Sequence, residues 1–565
     1  MNQNKMKKIL FYLLVFIIVF LPRLPGISLF STVDEPDYIK YGGNVYYALG
    51  QRDLSKTYQT YQPAVTTTYT SALAYHFVFP AYKGFGQGYF DDSFQQTDYL
   101  EKNGVEPIKL LFVARIIMIT IVSVMLTVSF LLLDLIIGSI PSIIIILLMS
   151  FDPFFLGHSR LLTQEGLMSI SVIASILALI VYCTKKDHWI FVVISSITAA
   201  IAMLTKLNAI VLLPINAILF TFFWKPEPVN NKRYQAQRRI VAVVMWLSVF
   251  LVFTCAVWPA LWNHPGDVIS SLFEKSFGFL GSKEGVPVED LSLQVVIGQN
   301  DIIRYIRSIW WQVPPLTWAG CLIALFFFTI KIKQNNETLN ILFYTFLILA
   351  IMMTIMMSMG KKMGNHYVMV SHVSLSLLAG LGYIQGIYHF RKHFNERSSN
   401  PATAFVLIVI VGSQIFNFLS YYPYFFDYIN PMALATRGTT SIIDTGYGQG
   451  LDIAARYLSL KPNSGDLKVM SWWSTSFDYF FPGDTEHIWV IKNWRQEDID
   501  KLRSSDYLVV YYQTQMSRKI PESLMNILEF VKPEKNISIH DIDMVRIYKV
   551  TNLPPEVFIP SIINP

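Results

Sequence analysis

Long apolar runs separated by short polar turns fill the chain up to about residue 420. They lie at Ile9–Leu29, Lys109–Leu133, Ile136–Phe151, Gly166–Cys183, Trp189–Leu204, Ala209–Trp224, Ile240–Pro259, Leu316–Ile330, Leu339–Met357, Tyr367–Tyr388 and Ala402–Leu419. A helix needs about 20 apolar residues to cross a hydrocarbon layer ~30 Å thick. The pattern therefore predicts a polytopic α-helical membrane protein with eleven transmembrane helices.

Two stretches break the pattern. From Ser31 to Pro107 the chain is polar and rich in Thr and aromatic residues. Tyr38–Leu49 and Val65–Tyr82 are helical in pattern but too weakly apolar to span, which predicts helices lying along the membrane surface. After Tyr421 the periodicity shortens. Leu467–Trp473, His487–Ile491, Tyr507–Tyr512 and Met544–Val550 predict strands. Helical patterns at Gly450–Leu458, Glu497–Leu502 and Pro521–Phe530 lie among them. The expected organisation is a membrane domain over 1–420, with a first loop over 30–108, and a soluble α/β domain over 421–565. A long loop is expected from Pro259 to about Pro315.

Composition agrees: of 565 residues, 53% are hydrophobic and only 15% charged, too apolar for a soluble protein of this size. The net charge of +6 then reads as topology rather than as affinity for nucleic acid. Lys and Arg gather at Lys5, Lys7 and Lys8, at Lys185 and Lys186, between Lys225 and Arg239, at Lys331 and Lys333, and at Arg391, Lys392 and Arg397. This places the N-terminus in the cytoplasm and residues 421–565 outside it. The basic then apolar start has the order of a signal peptide, but no small-residue cleavage site follows Leu21, so it reads as a retained helix. Cys183, Cys255 and Cys321 are far apart within apolar runs, which suggests neither a disulfide framework nor a thiolate metal site.

Four polar features interrupt this scheme on the predicted outer side. They are Asp34-Glu35 just past the first span, Ser159-Arg160 through Glu165, Lys206 in the turn Thr205–Asn208, and Lys361-Lys362-Met-Gly-Asn-His366-Tyr367. Charges at a membrane edge cost free energy unless water, a partner or a ligand compensates them. Singly each has an ordinary reading: a solvated loop start, an Arg160–Glu165 pair, a snorkelling lysine, a basic turn or a satisfied interfacial histidine. Together they place carboxylates and cations on one level, as chemistry on a phosphorylated lipid requires. Cations would hold the phosphate, and a carboxylate would take a proton from an incoming hydroxyl.

This combination resembles the GT-C membrane glycosyltransferases, in the branch shared by protein O-mannosyltransferases and the lipid A aminoarabinose transferase (glycosyltransferase family 39-like). The family's Asp-Glu pair is matched by Asp34-Glu35. Its Ser-Arg-x-x-x-x-Asp-x-x-Leu element is similar to Ser159-Arg160 through Glu165 and Leu167, with Glu in place of Asp. Thr205-Lys206 resembles its Thr-Lys turn, and Lys361–Tyr367 its basic element ending in Arg-Tyr, with His366 in place of Arg. Tyr421-Tyr-Pro-Tyr through Asn430-Pro431, and Asp444 through Gly450, resemble the segment after the last span in bacterial members.

The resemblance implies an inverting transferase in a prokaryotic plasma membrane. Its donor would be a sugar on a polyprenyl phosphate, and its acceptor a protein, lipid or envelope glycan. Asp34 would be the general base, with Glu35 and Glu165 positioning the acceptor or the base. Arg160, Lys206, Lys361, Lys362, His366 and Tyr367 would bind the donor phosphate. No metal cage is apparent, and a divalent cation at the phosphate stays an alternative. A transporter or lipid flippase, or a noncatalytic envelope scaffold, would also carry charges here. The run Trp472-Trp473 to Asp478-Tyr479 superficially resembles the oligosaccharyltransferase Trp-Trp-Asp-Tyr-Gly signature. Its three extra residues predict instead a strand end packed with aromatics.

Overall fold

The computed structural model describes residues 3–563 apart from 61, 186–187, 225–231, 282–300, 330–336, 360–363, 394–395, 438–445, 489–493 and 513–520. A helix stands at every one of the eleven apolar segments. Among the described residues, six helices are long and apolar enough by themselves to cross a membrane: Pro107–Ile137, Glu165–Thr184, Arg233–Val257, Glu337–Ser358, Asn365–Arg391 and Thr403–Tyr421. Ser139–Ser150, Trp189–Thr205 and Leu207–Phe223 are apolar but shorter. At 1.5 Å per residue, a helix of twelve residues such as Ser139–Ser150 is only about 18 Å long.

The helix Glu165–Thr184 is the hub, with its most apolar window wholly buried. It packs against Pro107–Ile137, Trp189–Thr205 and Met369–His393. Serines thin its surface, and Ser175 Oγ donates to the Ser195 carbonyl at 2.9 Å, so neighbours approach closely as small residues permit in apolar bundles. The same economy lets Pro315–Thr329 lie against Met369–His393: a Cβ on Gly382 would sit 2.0 Å from the Gly320 carbonyl oxygen. Because the hub is central, Glu165 at its N-terminus is placed in the middle of one end of the bundle.

Several expectations are corrected. The first helix, Gln3–Phe20, stops short of Leu29 at the 3₁₀ turn Leu21–Arg23, where Pro22 cannot continue the hydrogen-bond ladder. The Ala209–Trp224 segment breaks into a 3₁₀ turn, Leu212–Ile218 and a π turn, with Pro214 inside it. The expected loop from Pro259 holds helices Ala260–Asn263, Pro265–Gly281 and Asp301–Gln312. Of the two expected surface helices, Glu35–Gln51 packs on Val65–Val78, which in turn lies against Pro107–Ile137 and Trp189–Thr205. Their inner faces belong to the bundle core.

After Tyr421 a five-stranded sheet forms from β1 (Lys468–Ser471), β2 (Asp484–His487), β3 (Tyr507–Tyr511), β4 (Lys535–Ile539) and β5 (Ile542–Lys549), in the order β2-β1-β3-β5-β4. β1 runs parallel to β2 and β3, whereas β5 is antiparallel to β3 and β4. β2 ends where a strand beginning at His487 was expected, and residues 489–491 of that expectation lie outside the described residues. β4 was missed because its exposed edge reads as polar. The segment after Trp472 turns at Trp473, φ 45°, into the short helix Ser474–Asp478. The sheet's apolar cluster includes Phe30, Leu161, Tyr424 and Phe426, so it is continuous with the end of the bundle that carries Asp34.

Candidate functional site

The helix Glu35–Gln51 begins with acids in its first turn and Pro36 beside them, which suits the positive end of a helix. Asp34 is its N-cap residue, yet its side chain makes no capping bond and is only partly buried. Its Oδ2 instead accepts a 2.7 Å hydrogen bond from the Tyr447 hydroxyl.

Glu35 faces the other way and is fully buried. Arg115 Nε donates to its Oε1 at 2.7 Å, and Arg115 Nη2 to its Oε2. The Leu162 amide donates to Oε1, and the Thr32 amide and hydroxyl to Oε2, each at 2.8 Å. Burial works against this charge, but Arg115 and the amides outweigh it and hold the carboxyl below its usual range. Arg115 also donates to the Ile27 and Phe30 carbonyls. Glu35 thus ties the loop around Thr32, the helix Pro107–Ile137 and the 159–165 turn into one piece. Both of its oxygens are thus occupied by donors of the protein itself.

The 159–165 turn is further fixed by Arg23, whose Nε donates to Ser159 Oγ at 2.9 Å. Backbone must approach backbone here: a Cβ on Gly166 would meet Ser159 Cα at 2.6 Å, and one on Gly157 would meet the Phe426 amide nitrogen at 2.5 Å. Arg160 does not reach Glu165. It donates to the Pro25 carbonyl and stacks over Phe425 at 5.0 Å, and its Nε and Nη1 are buried with no hydrogen-bond partner among the described residues.

Glu165 pairs with Lys206, whose Nζ donates to Oε1 at 2.6 Å; His366 Nε2 stands 3.7 Å from the same oxygen. The ammonium also lies 4.3 Å from the centre of the Tyr367 ring. His366 and Tyr367 sit on the short turn Asn365–Val368, and Lys361 and Lys362 lie outside the described residues. Two aromatic residues close the gap to Asp34. Tyr447 packs edge-on against His366 and His158, with centroids 5.5 and 5.7 Å apart, and His158 lies 5.6 Å from His366. Burial, then the neighbouring His366, pushes His158 down to about 3, so it is a neutral wall. Burial and the Asp34 and Glu165 carboxylates push the Tyr447 phenol up, which keeps it a donor.

One continuous cluster results: Asp34, Tyr447, His366 with His158, Glu165, Lys206 and Tyr367. Tyr447 and His158 were not singled out in the sequence. Tyr447 had a signal in its glycine-rich surroundings, since Gly448 and Gly450 take φ of 92° and 87° and let the loop drop beside Ser31 and Val33. Asp444 and Thr445, which open that element, lie outside the described residues. Gln449 locks the loop, accepting from the Tyr447 amide at 2.8 Å and from the Tyr511 hydroxyl of β3 at 2.6 Å, and donating to Asp427. The sheet therefore delivers Tyr447 to the end of the bundle. His158 had no such signal. Among the described residues, no three His, Cys, Asp or Glu side chains are grouped to hold a metal ion.

No family model and no curated protein matches the chain. Among solved structures it is similar to ArnT from Cupriavidus metallidurans bound to undecaprenyl phosphate, at 11% identity and a TM-score of 0.46, over 96% of this chain and 98% of that one. It is also similar to the archaeal oligosaccharyltransferase AglB from Archaeoglobus fulgidus in complex with an inhibitory peptide and a dolichol-phosphate, at 12% identity and a TM-score of 0.41, over 89% and 70%. Likeness at this level does not extend to the chemistry of a site.

Proposed function

We propose that this chain is an inverting GT-C membrane glycosyltransferase that moves a sugar from a polyprenyl-phosphate donor to an extracytoplasmic protein, lipid or envelope glycan. One observation carries the reading: the partly buried Asp34 carboxylate and the Lys206 ammonium, far apart in sequence, border one cluster at one end of an apolar bundle. A carboxylate beside a cation at a membrane edge suits hydroxyl activation against a phosphate leaving group.

In this mechanism Asp34 takes the proton of the acceptor hydroxyl as its oxygen bonds to the anomeric carbon. The bond from that carbon to the phosphate oxygen breaks on the opposite face, and the lipid phosphate leaves with the electron pair. Attack opposite the leaving group inverts the anomeric centre. Lys206, His366, Tyr367 and Arg160, joined by Lys361 and Lys362, stabilise the charge that develops on the phosphate. Glu165 holds Lys206 in place, Glu35 holds the loop that carries Asp34, and Tyr447 orients the Asp34 carboxylate. The N-terminus is cytoplasmic, and residues 421–565 form an extracytoplasmic domain in a prokaryotic plasma membrane.

Membranes carrying the protein, given radiolabelled polyprenyl-phosphate sugars, should pass label to an acceptor, and Asp34→Asn should slow the transfer by roughly 10²- to 10⁴-fold. A transporter or a scaffold would pass no label, and a scaffold would keep its phenotype in Asp34→Ala. Reporter fusions near Asn463 that behave as cytoplasmic ones would overturn the orientation.

A further inference from the structure

The helix Asp301–Gln312 has three faces of different chemistry. Tyr305, Ser308, Ile309 and Gln312 are buried. Tyr305, Ile309 and Val313 share one apolar cluster with Val368, the last residue of the turn that carries His366 and Tyr367. Asn430 fixes the C-terminal end: its amide donates to the Trp311 carbonyl at 2.6 Å, and its side chain to the Trp310 and Val313 carbonyls. The second face, at helical spacing, is Ile302, Ile303, Ile306 and Trp310, which are 43%, 48%, 57% and 38% exposed. Arg307 and Arg304 lie beyond it, with Arg307 over the Trp311 ring at 5.6 Å.

An isoleucine stripe open to water costs free energy in proportion to the apolar area left uncovered, so the face calls for a cover. Its direction identifies that cover. The helix meets the apolar helix Pro315–Thr329 at a bend of 111°. Where Pro315–Thr329 crosses a membrane, Asp301–Gln312 must run nearly along the surface. The following helix is open as well, at Leu322, Leu325 and Phe326. An apolar stripe that ends in Trp310 and is edged by Arg307 and Arg304, lying in the interface plane, is suited to acyl chains below and anionic headgroups beside it.

We infer that Asp301–Gln312 is a membrane-surface element, bedding Ile302, Ile303, Ile306 and Trp310 into an anionic leaflet while its opposite face braces the His366–Tyr367 turn. The lipid surface and the candidate site then share one wall. The inference does not depend on the reaction that the site performs.

The test uses the full chain with Cys255→Ser, because Cys255 is exposed whereas Cys183 and Cys321 are buried. An environment-sensitive fluorophore is attached at Ile306→Cys, or at Arg307→Cys as the polar-edge control. Each labelled protein is reconstituted into vesicles of phosphatidylcholine and phosphatidylglycerol, with or without brominated acyl chains. The label at 306 should emit at shorter wavelength than that at 307, lose intensity to bromolipid and resist aqueous iodide. Iodide quenching at 306 without bromolipid quenching would overturn the inference. Disulfide-linked dimers of the unlabelled Ile306→Cys protein, together with no bromolipid quenching of the labelled one, would also overturn it by making a second copy the cover.

Discussion

The Tyr447 hydroxyl donates to the Asp34 carboxylate across 2.7 Å, joining residues 413 positions apart. Asp34 starts the helix Glu35–Gln51, whereas Tyr447 belongs to a loop pinned to β3 through Gln449 and Tyr511. The orientation of the candidate base is thus under the control of the C-terminal sheet. Tyr447→Phe keeps the ring against His158 and His366 and removes only the donor. A hydrogen bond to a charged group is worth about 1.5–3 kcal/mol, so turnover should fall by roughly ten- to a hundredfold, with donor binding nearly unchanged. Normal turnover in this variant would make the bond incidental.

Asp34→Asn should lower turnover by roughly 10²- to 10⁴-fold, the usual contribution of general-base assistance, while the protein still inserts and binds donor. Asp37, whose carboxylate pairs with Lys40 at 3.2 Å, should tolerate Asn with much less effect. Loss of turnover in Glu165→Gln, with Asp34→Asn near normal, would move the base to Glu165.

Glu35→Gln should behave differently from either. It leaves Arg115 buried without its counter-charge, a change that costs about 3–5 kcal/mol. The expected result is a lower melting temperature in detergent and poor recovery of folded protein. A Glu35→Gln protein that melts normally but does not turn over would return Glu35 to the chemistry.

Lys206→Met should likewise strand Glu165, and the double change with Glu165→Gln should restore most of the stability. If Lys206 grips the donor phosphate, the double variant should remain weak in donor binding by about 1.5–3 kcal/mol. Changing Lys361 and Lys362 to Gln should weaken donor binding by a similar ~1.5–3 kcal/mol without touching stability. Full recovery of donor affinity in the Lys206 double variant would leave that residue a purely structural partner.

Asp478 offers a pH test away from the site. Burial, with Glu101 and Asp98 nearby and the Thr485 hydroxyl opposing, raises it from an ordinary 3.8 to about 7. Between these values the folded protein keeps a proton that the unfolded chain has lost, so this group's stability is full below 3.8 and drains as pH rises through about 7. Asp478→Asn should therefore raise the melting temperature at pH 8 and change it little at pH 4. An equal shift at both pH values would remove the proton from the explanation.

The sequence by itself determined where the helices lie, because burial in lipid or in a bundle needs a run of apolar side chains, and such a run is visible along the chain. It also marked Asp34, Glu165, Lys206 and His366, since charges at the ends of such runs are costly and therefore conspicuous. What only the tertiary structure decided is how those charges divide their work. Neighbouring acids diverge: Glu35 turns inward to Arg115, while Asp34 turns to Tyr447. Arg160, five residues before Glu165, goes to Phe425 and the Pro25 carbonyl, and Lys206 comes from another helix end to take its place. His158 is hidden in an apolar stretch, and Tyr447 lies beyond the last apolar helix. Apolar periodicity is local and is written along the chain, whereas ion-pair partners and ring contacts are chosen among groups that meet only after the helices have packed.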